Sequence, residues 1–269
     1  MAPPRWRTSE MAGTRLNPEE RRAQAVQLLR KHGFLTFRQL ADELGVAEQT
    51  IRRDIELLVK GSRVRDVRGG AVPADSHMFE PNLAGRSVKD VAAKERIASE
   101  VVRQLRGSET VYLDEGFTPE LIAHEMPDRP MRVATSSLTV AHALREKSNI
   151  EITILGGTLR PETLATSSYW AIEMTRQMRF DVALVGANRI SYRHGLTTPI
   201  HNVSVVKQNV VSGSQRTIFF GVSSKWEGSP DEHWFANVAD LSMIVTDRNL
   251  PESRLAELRR VNGLVVATV

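Results

Sequence analysis

Residues 40–54 read Leu-Ala-Asp-Glu-Leu-Gly-Val-Ala-Glu-Gln-Thr-Ile-Arg-Arg-Asp. The apolar positions predict two short helices that pack on each other around a tight turn at Gly45. Ala41, Leu44, Val46, Ile51 and Ile55 form the packed side. Gln49, Thr50, Arg52 and Arg53 are left facing outward. A helix that enters the major groove of DNA needs this division, with one face packed on the preceding helix and the other polar. Arginine forks onto guanine or grips a phosphate, and glutamine suits adenine.

The flanking sequence agrees. A helix is expected over residues 18–32, with Ala25, Val26, Leu28 and Leu29 on one face and Gly33 as its stop. Thr36 stands as the N-cap of the second helix. The third helix runs over residues 48–60 and stops at Gly61. Residues 63–67 alternate polar and apolar as a short strand does. Gly69-Gly70 then turns the chain before Ala71-Val72. Three helices and a two-stranded wing make a winged helix-turn-helix over residues 17–73. Its candidate DNA-binding residues are Thr36, Gln49, Thr50, Arg52 and Arg53, with Arg65 and Arg68 from the wing. Charge points the same way. Up to Val72 there are 14 Lys and Arg against 9 Asp and Glu, and beyond it 22 against 23. The net charge of +4 therefore sits in the first quarter of the chain, as expected for a small module with a polyanionic partner.

The remaining composition bounds the rest. The chain has 269 residues, which suits two domains or one large one, and contains no cysteine. Disulfides, thiolate metal sites and a cysteine nucleophile are excluded, and a cytoplasmic location fits. No apolar run reaches membrane-spanning length, so no membrane partner is expected. None of the seven His stands at metal-ligand spacing, and no cofactor is expected. Residues 1–16 read as a disordered leader. Residues 74–91 carry Pro, Asp, Ser, Asn and Gly without a period and read as a linker.

Residues 92–269 change pattern. A helix over residues 92–105 leads to apolar strands at 110–114, 131–135, 150–155, 181–185, 217–222, 241–246 and 263–267, with helix-like segments between most of them. Short buried-type strands alternating with helices predict an α/β domain with a doubly wound, largely parallel sheet. Ligands of such sheets sit beyond the carboxyl ends of the strands. Polar clusters fall at those places: Asp114-Glu115-Gly116-Phe117-Thr118, Thr135-Ser136-Ser137, Gly156-Gly157 with Arg160, Gly186-Ala187-Asn188, and Ser223-Ser224-Lys225. With Thr197 and Lys207 these supply the candidate effector-binding residues. Trp170, Trp226 and Trp234 are candidates to stack on a sugar ring.

Thr50-Ile51-Arg52-Arg53-Asp54, followed by Arg68-Gly69-Gly70-Ala71, resembles the signature of the DeoR family of bacterial transcriptional regulators. The resemblance continues through Asp114, Gly116 and Thr118, Thr135 and Ser137, Leu155-Gly156-Gly157, Gly186-Ala187, Gly195-Leu196-Thr197-Thr198, Lys207 and Ser223-Ser224-Lys225. It implies a sensor domain similar to ribose-5-phosphate isomerases that binds a phosphorylated sugar or a related metabolite without turning it over. It also implies a double-stranded DNA operator, a repressor of a carbohydrate-metabolism operon relieved by that effector, and a homo-oligomer, dimer or tetramer.

Four departures from the family pattern matter. Ala47 replaces the serine that caps the reading helix, at a cost on the order of 1 kcal/mol. Glu115 and Phe117 replace hydroxyl residues in the first loop, and a carboxylate near a phosphate repels it unless a cation intervenes. Asn188 and Ser204 stand where acids are usual. The effector is then either a phosphate held mainly by Lys207, Arg160 and Lys225, or an uncharged or amino-bearing sugar. Two alternatives stay open: an isomerase-like enzyme with Asp114 as its base, and an architectural DNA binder whose sensor domain is non-functional.

Overall fold

The computed structural model describes residues 17–32, 34–61, 63–67, 69–73 and 90–269. The expected leader, Gly33, Arg68 and the expected linker up to residue 89 lie outside the described residues. The chain divides into two compact units between positions 76 and 77.

The first unit holds α1 (Pro18–His32), β1 (Leu35–Thr36), α2 (Phe37–Leu44), α3 (Glu48–Lys60), β2 (Val64–Val67) and β3 (Gly70–Pro73). Thr36 caps α2 as expected. Its Oγ1 accepts the Gln39 N–H at 3.1 Å, and the Gln39 carboxamide oxygen accepts the Thr36 N–H at 2.9 Å. Gly45 ends α2 with φ 63, a left-handed conformation that glycine adopts without penalty. Leu29, Leu40, Leu44, Ile51, Ile55, Leu58 and Val64 close one core. Each such side chain contributes roughly 1.5–3 kcal/mol. Asp54, buried on α3, ties that helix to α1 through Arg21 at 2.5 Å and Arg22 at 3.5 Å.

The wing differs from expectation. It has three strands in the order β1-β3-β2, because Leu35 and Thr36 pair with Ala71 and Gly70. The approach is close: a Cβ on Gly70 would stand 2.3 Å from the Leu35 carbonyl oxygen.

The second unit begins with α4 (Val91–Arg103), β4 (Thr110–Leu113), α5 (Phe117–Glu125), β5 (Met131–Thr135), α6 (Leu138–Leu144) and β6 (Ile150–Ile154). A hairpin of β7 (Leu159–Arg160) and β8 (Ala165–Thr166) follows, then α7 (Tyr169–Gln177) and β9 (Phe180–Val185). Next come β10 (Arg189–Ser191), β11 (Gly195–Thr198), α8 (His201–Ser212), β12 (Ser214–Phe220), β13 (His233–Ala236), β14 (Met243–Thr246), α9 (Glu252–Leu258) and β15 (Val265–Thr268). The seven expected strands form one parallel sheet in the order β15-β14-β12-β9-β4-β5-β6. Both faces are covered. On β9, Val182 and Leu184 face a core shared with α4, α5 and α6, whereas Ala183 and Val185 face one shared with α7 and α8. Burial on both sides explains why these strands are continuously apolar.

Two additions lie outside the seven strands expected from the sequence: the β7–β8 hairpin, and a small antiparallel sheet in the order β10-β11-β13. The strand order also creates a switch point. From β4 the chain steps outward to β5 and β6, then returns to β9 on the other side of β4 and continues to β12, β14 and β15. The loops after β4 and β9 therefore leave the sheet in opposite senses and open a crevice between them.

Candidate DNA-reading helix and switch-point cleft

Along α3, Ile51, Asp54, Ile55 and Leu58 are buried. At 3.6 residues per turn, Gln49, Arg53 and Lys60 lie opposite that buried face. Gln49 and Arg53 are exposed, and Thr50 is half-buried. Arg52 lies on the flank toward α2. Its guanidinium stacks 4.4 Å from the Phe37 ring centroid and pairs with Glu48 at 2.7 Å. The Thr36 hydroxyl is engaged in the α2 cap. Arg65 is half-buried on β2. Ala47 occupies the N-cap of α3 without any side-chain hydrogen bond, so the expected loss of a cap is real.

In the second unit the switch point is closed by charge. Asp114, which follows β4, is 1% exposed. Its Oδ2 accepts from the Lys207 ammonium at 2.7 Å and from the Gly186 N–H at 2.8 Å. The ammonium also donates to the Gly186 carbonyl at 2.8 Å. Lys207 on α8 thus bridges the loops after β4 and β9. Beside it, Glu115 is turned inward, 8% exposed. It accepts from Arg160 at 2.8 Å and from the Thr163 hydroxyl at 3.4 Å. Arg160 is the cation that a carboxylate at this place requires. Burial lowers the Arg160 pKa from its ordinary value, with Glu162 opposing. The Tyr112 hydroxyl is held well above the usual tyrosine range by burial and by the nearby Asp114 and Glu115 carboxylates.

A small cleft lies over this network. It is lined by Tyr112, Asp114, Glu115, Ser136, Thr166, Ser167, Val203, Val206 and Lys207. Of the candidate effector residues, Asp114, Glu115, Ser136 and Lys207 meet there, and Arg160 reaches it through Glu115. The others hold structure nearby. Gly116, at φ 117, starts α5, and the Phe117 ring lies under the Lys94 ammonium at 5.6 Å. Thr118 is half-buried in the first turn of α5. The Thr135 hydroxyl accepts from the Ser137 N–H at 3.1 Å, and Ser137 caps α6 through the Val140 N–H at 3.3 Å. The Gly156 N–H points at the Met174 sulfur at 3.2 Å, and Gly157 lies against Ser168. The Asn188 N–H bonds to the Thr197 carbonyl, and the Thr197 hydroxyl pairs with Asp231. Lys225 sits in the 3₁₀ turn Ser223–Trp226. Trp226 is buried in a core, while Trp170 and Trp234 are exposed.

Sequence reading missed Tyr112, Thr163, Thr166, Ser167, Val203 and Val206. Tyr112 carries a signal, since it stands two residues before Asp114 and so on the same side of the strand. Val203 and Val206 share the helix face of Lys207. Thr166 and Ser167 have no local signal, because the β7–β8 hairpin brings them in.

A winged helix-turn-helix followed by an α/β unit with a charged switch-point cleft defines a DNA-binding transcriptional regulator with a ligand-sensing domain. Residues 21–77 match the DeoR-like helix-turn-helix domain, and residues 89–248 match the DeoR C terminal sensor domain. The chain belongs to the DeoR family. It is 29% identical over 250 residues to the HTH-type transcriptional regulator GlpR of Haloferax volcanii, covering 93% of this chain and 97% of that one. It is 28% identical over 246 residues to the HTH-type transcriptional repressor GlcR of Bacillus subtilis, covering 91% and 94%. Against the glycerol-3-phosphate regulon repressor of Escherichia coli it is 26% identical over 220 residues, covering 81% and 85%. Among solved structures, ribose 5-phosphate isomerase A from Methanocaldococcus jannaschii overlaps 50% of this chain and 53% of its own at 14% identity, with a TM-score of 0.37. Among the described residues no helix is long and apolar enough to cross a membrane.

Proposed function

We propose that this regulator represses a carbohydrate-metabolism operon and releases its operator when a sugar or sugar-phosphate effector enters the switch-point cleft. The Lys207 bridge between Asp114 and Gly186 carries this reading. It supports the reading because it lies in a buried, charged cleft beyond the carboxyl ends of the strands, the region where open parallel sheets bind ligands. The names of the relatives, a glycerol-3-phosphate regulon repressor among them, support the carbohydrate connection. Residues 17–73 serve as the DNA-binding domain and residues 92–269 as the sensor. Gln49, Thr50 and Arg53 serve the bases, and Arg52 and Arg65 the phosphates, with Thr36 and Arg68 as further candidates for backbone contact. The protein acts in the cytoplasm as a dimer or tetramer, joined through its sensor domains, on repeated or palindromic half-sites.

The domain does not act as an isomerase in this reading. Proton transfer needs a base within reach of a substrate proton. Asp114 is locked by Lys207 and Gly186, and Glu115 by Arg160 and Thr163. Asn188 and the Ser204 hydroxyl, which bonds to the His201 carbonyl at 2.7 Å, are not acidic. A gel shift on the DNA upstream of the protein's own gene, with and without a metabolite panel, tests the function. Sequence-specific retardation that a sugar or its phosphate relieves is expected. Retardation indifferent to every metabolite favours the architectural alternative and removes the sensing role.

A further inference from the structure

The charges at the switch-point cleft are matched one against one, and this limits what the cleft can hold. Lys207 meets Asp114 at 2.7 Å, and Arg160 meets Glu115 at 2.8 Å. Both carboxylates are more than nine-tenths buried. Asp114, Glu115 and Lys207 line the cleft and Arg160 reaches it through Glu115, so two cations meet two carboxylates and no positive charge is left over. A phosphate ester carries about two negative charges near neutral pH. In a buried site it needs cations that are not already neutralised. Here the guanidinium of Arg160 is turned onto Glu115, and an anion entering the cleft meets two carboxylates at low dielectric. The rest of the lining suits a different ligand. Ser136 and Ser167 bring hydroxyls, the Thr166 and Tyr112 hydroxyls, already donating to backbone carbonyls and to Asp114, keep lone pairs that accept, and Val203 and Val206 bring an apolar surface. A sugar ring has the same two characters, a polar edge and an apolar face.

Resting on the reading of this cleft as the effector site, we propose that it takes an unphosphorylated sugar, neutral or amino-bearing. Glu115 is the residue that turns a phosphate away, by occupying Arg160 and by its own charge.

The test is calorimetric titration of the full-length protein with a hexose, a hexosamine, their 6-phosphates and inorganic phosphate. The parent sugar is expected to bind more tightly than its own phosphate by on the order of tenfold or more, and inorganic phosphate to give no heat. Glu115→Gln keeps the shape of the side chain and removes its charge. In that variant inorganic phosphate should bind, and the gain should vanish again when Arg160→Met is added. Tighter binding of the 6-phosphate by the natural protein overturns the proposal, as does a Glu115→Gln variant with no better hold on phosphate. The comparison within the natural protein needs no variant, so a misfolded mutant leaves it intact. If a 6-phosphate binds better than its parent, the effector site stands and only the ligand class falls. If no member of any pair binds, the effector site itself falls and the ligand class with it.

Discussion

Lys207 and Asp114 test how a buried pair behaves when one member is lost. Lys207→Met leaves the Asp114 carboxylate in the core without its cation, a loss of roughly 3–5 kcal/mol. Adding Asp114→Asn removes the stranded charge and should recover much of that loss, so chemical denaturation of the two single variants and the double variant should be strongly non-additive. Additive losses would mean that the pair is not a unit. Tyr112 gives a pH signature. Its folded pKa lies above the ordinary value of 10.0. The folded state therefore keeps its proton where the unfolded chain releases it. The corresponding stability is fully present below pH 10 and is lost as pH rises beyond it. Tyr112→Phe removes the long 3.4 Å bond to Asp114 and the bond with Ser136 and should flatten the fall of melting temperature above pH 10. An unchanged alkaline slope would assign that fall to other groups.

At the scale of elements, α3 carries two separable predictions. Its N-cap is empty, so Ala47→Ser should stabilise the first unit by about 1 kcal/mol in thermal melts, the usual contribution of a capping hydroxyl. Its outward residues divide by position. Arg53 lies opposite the buried face, and Arg52 leans over Phe37 at the helix flank. Arg53→Ala should cost about 1–3 kcal/mol of discrimination between operator and scrambled DNA. Arg52→Ala should leave the preferred sequence unchanged and lower the slope of log affinity against log salt by about 1. A selection from randomised duplexes reads the first effect, and titrations across salt concentrations read the second. The same elements show what was legible beforehand. The seven parallel strands announce themselves as apolar runs between turn residues. By contrast β1, β7, β8 and β10 have only two or three residues. Strands that short exist because partners offer free backbone groups, which no local period records. The cleft follows suit. Asp114, Glu115, Ser136 and Lys207 are found from the ends of strands and the following helix. Thr166 and Ser167 depend on a hairpin that only the folded chain reveals. Glu115 could not be oriented from sequence, since its inward turn depends on Arg160, 45 residues away.

For the whole molecule, the proposed function makes sensing and DNA binding linked states of one chain. If an effector weakens operator affinity by some factor, saturating operator must weaken effector affinity by the same factor. Calorimetric titration of the effector into free and operator-bound protein should show that reciprocal loss. Equal affinities in the two titrations would mean that ligand in the cleft does not govern DNA release. One feature of the first unit reaches further. Thr36 is at once the last residue of β1, zipped to the wing at Gly70, and the cap that starts α2. No joint separates wing from helix pair. Under the proposed contacts, with α3 on bases and the wing on backbone, the distance along the double helix between the two is therefore a built-in ruler. Operators can drift in sequence while their two contact tracts stay at one fixed separation.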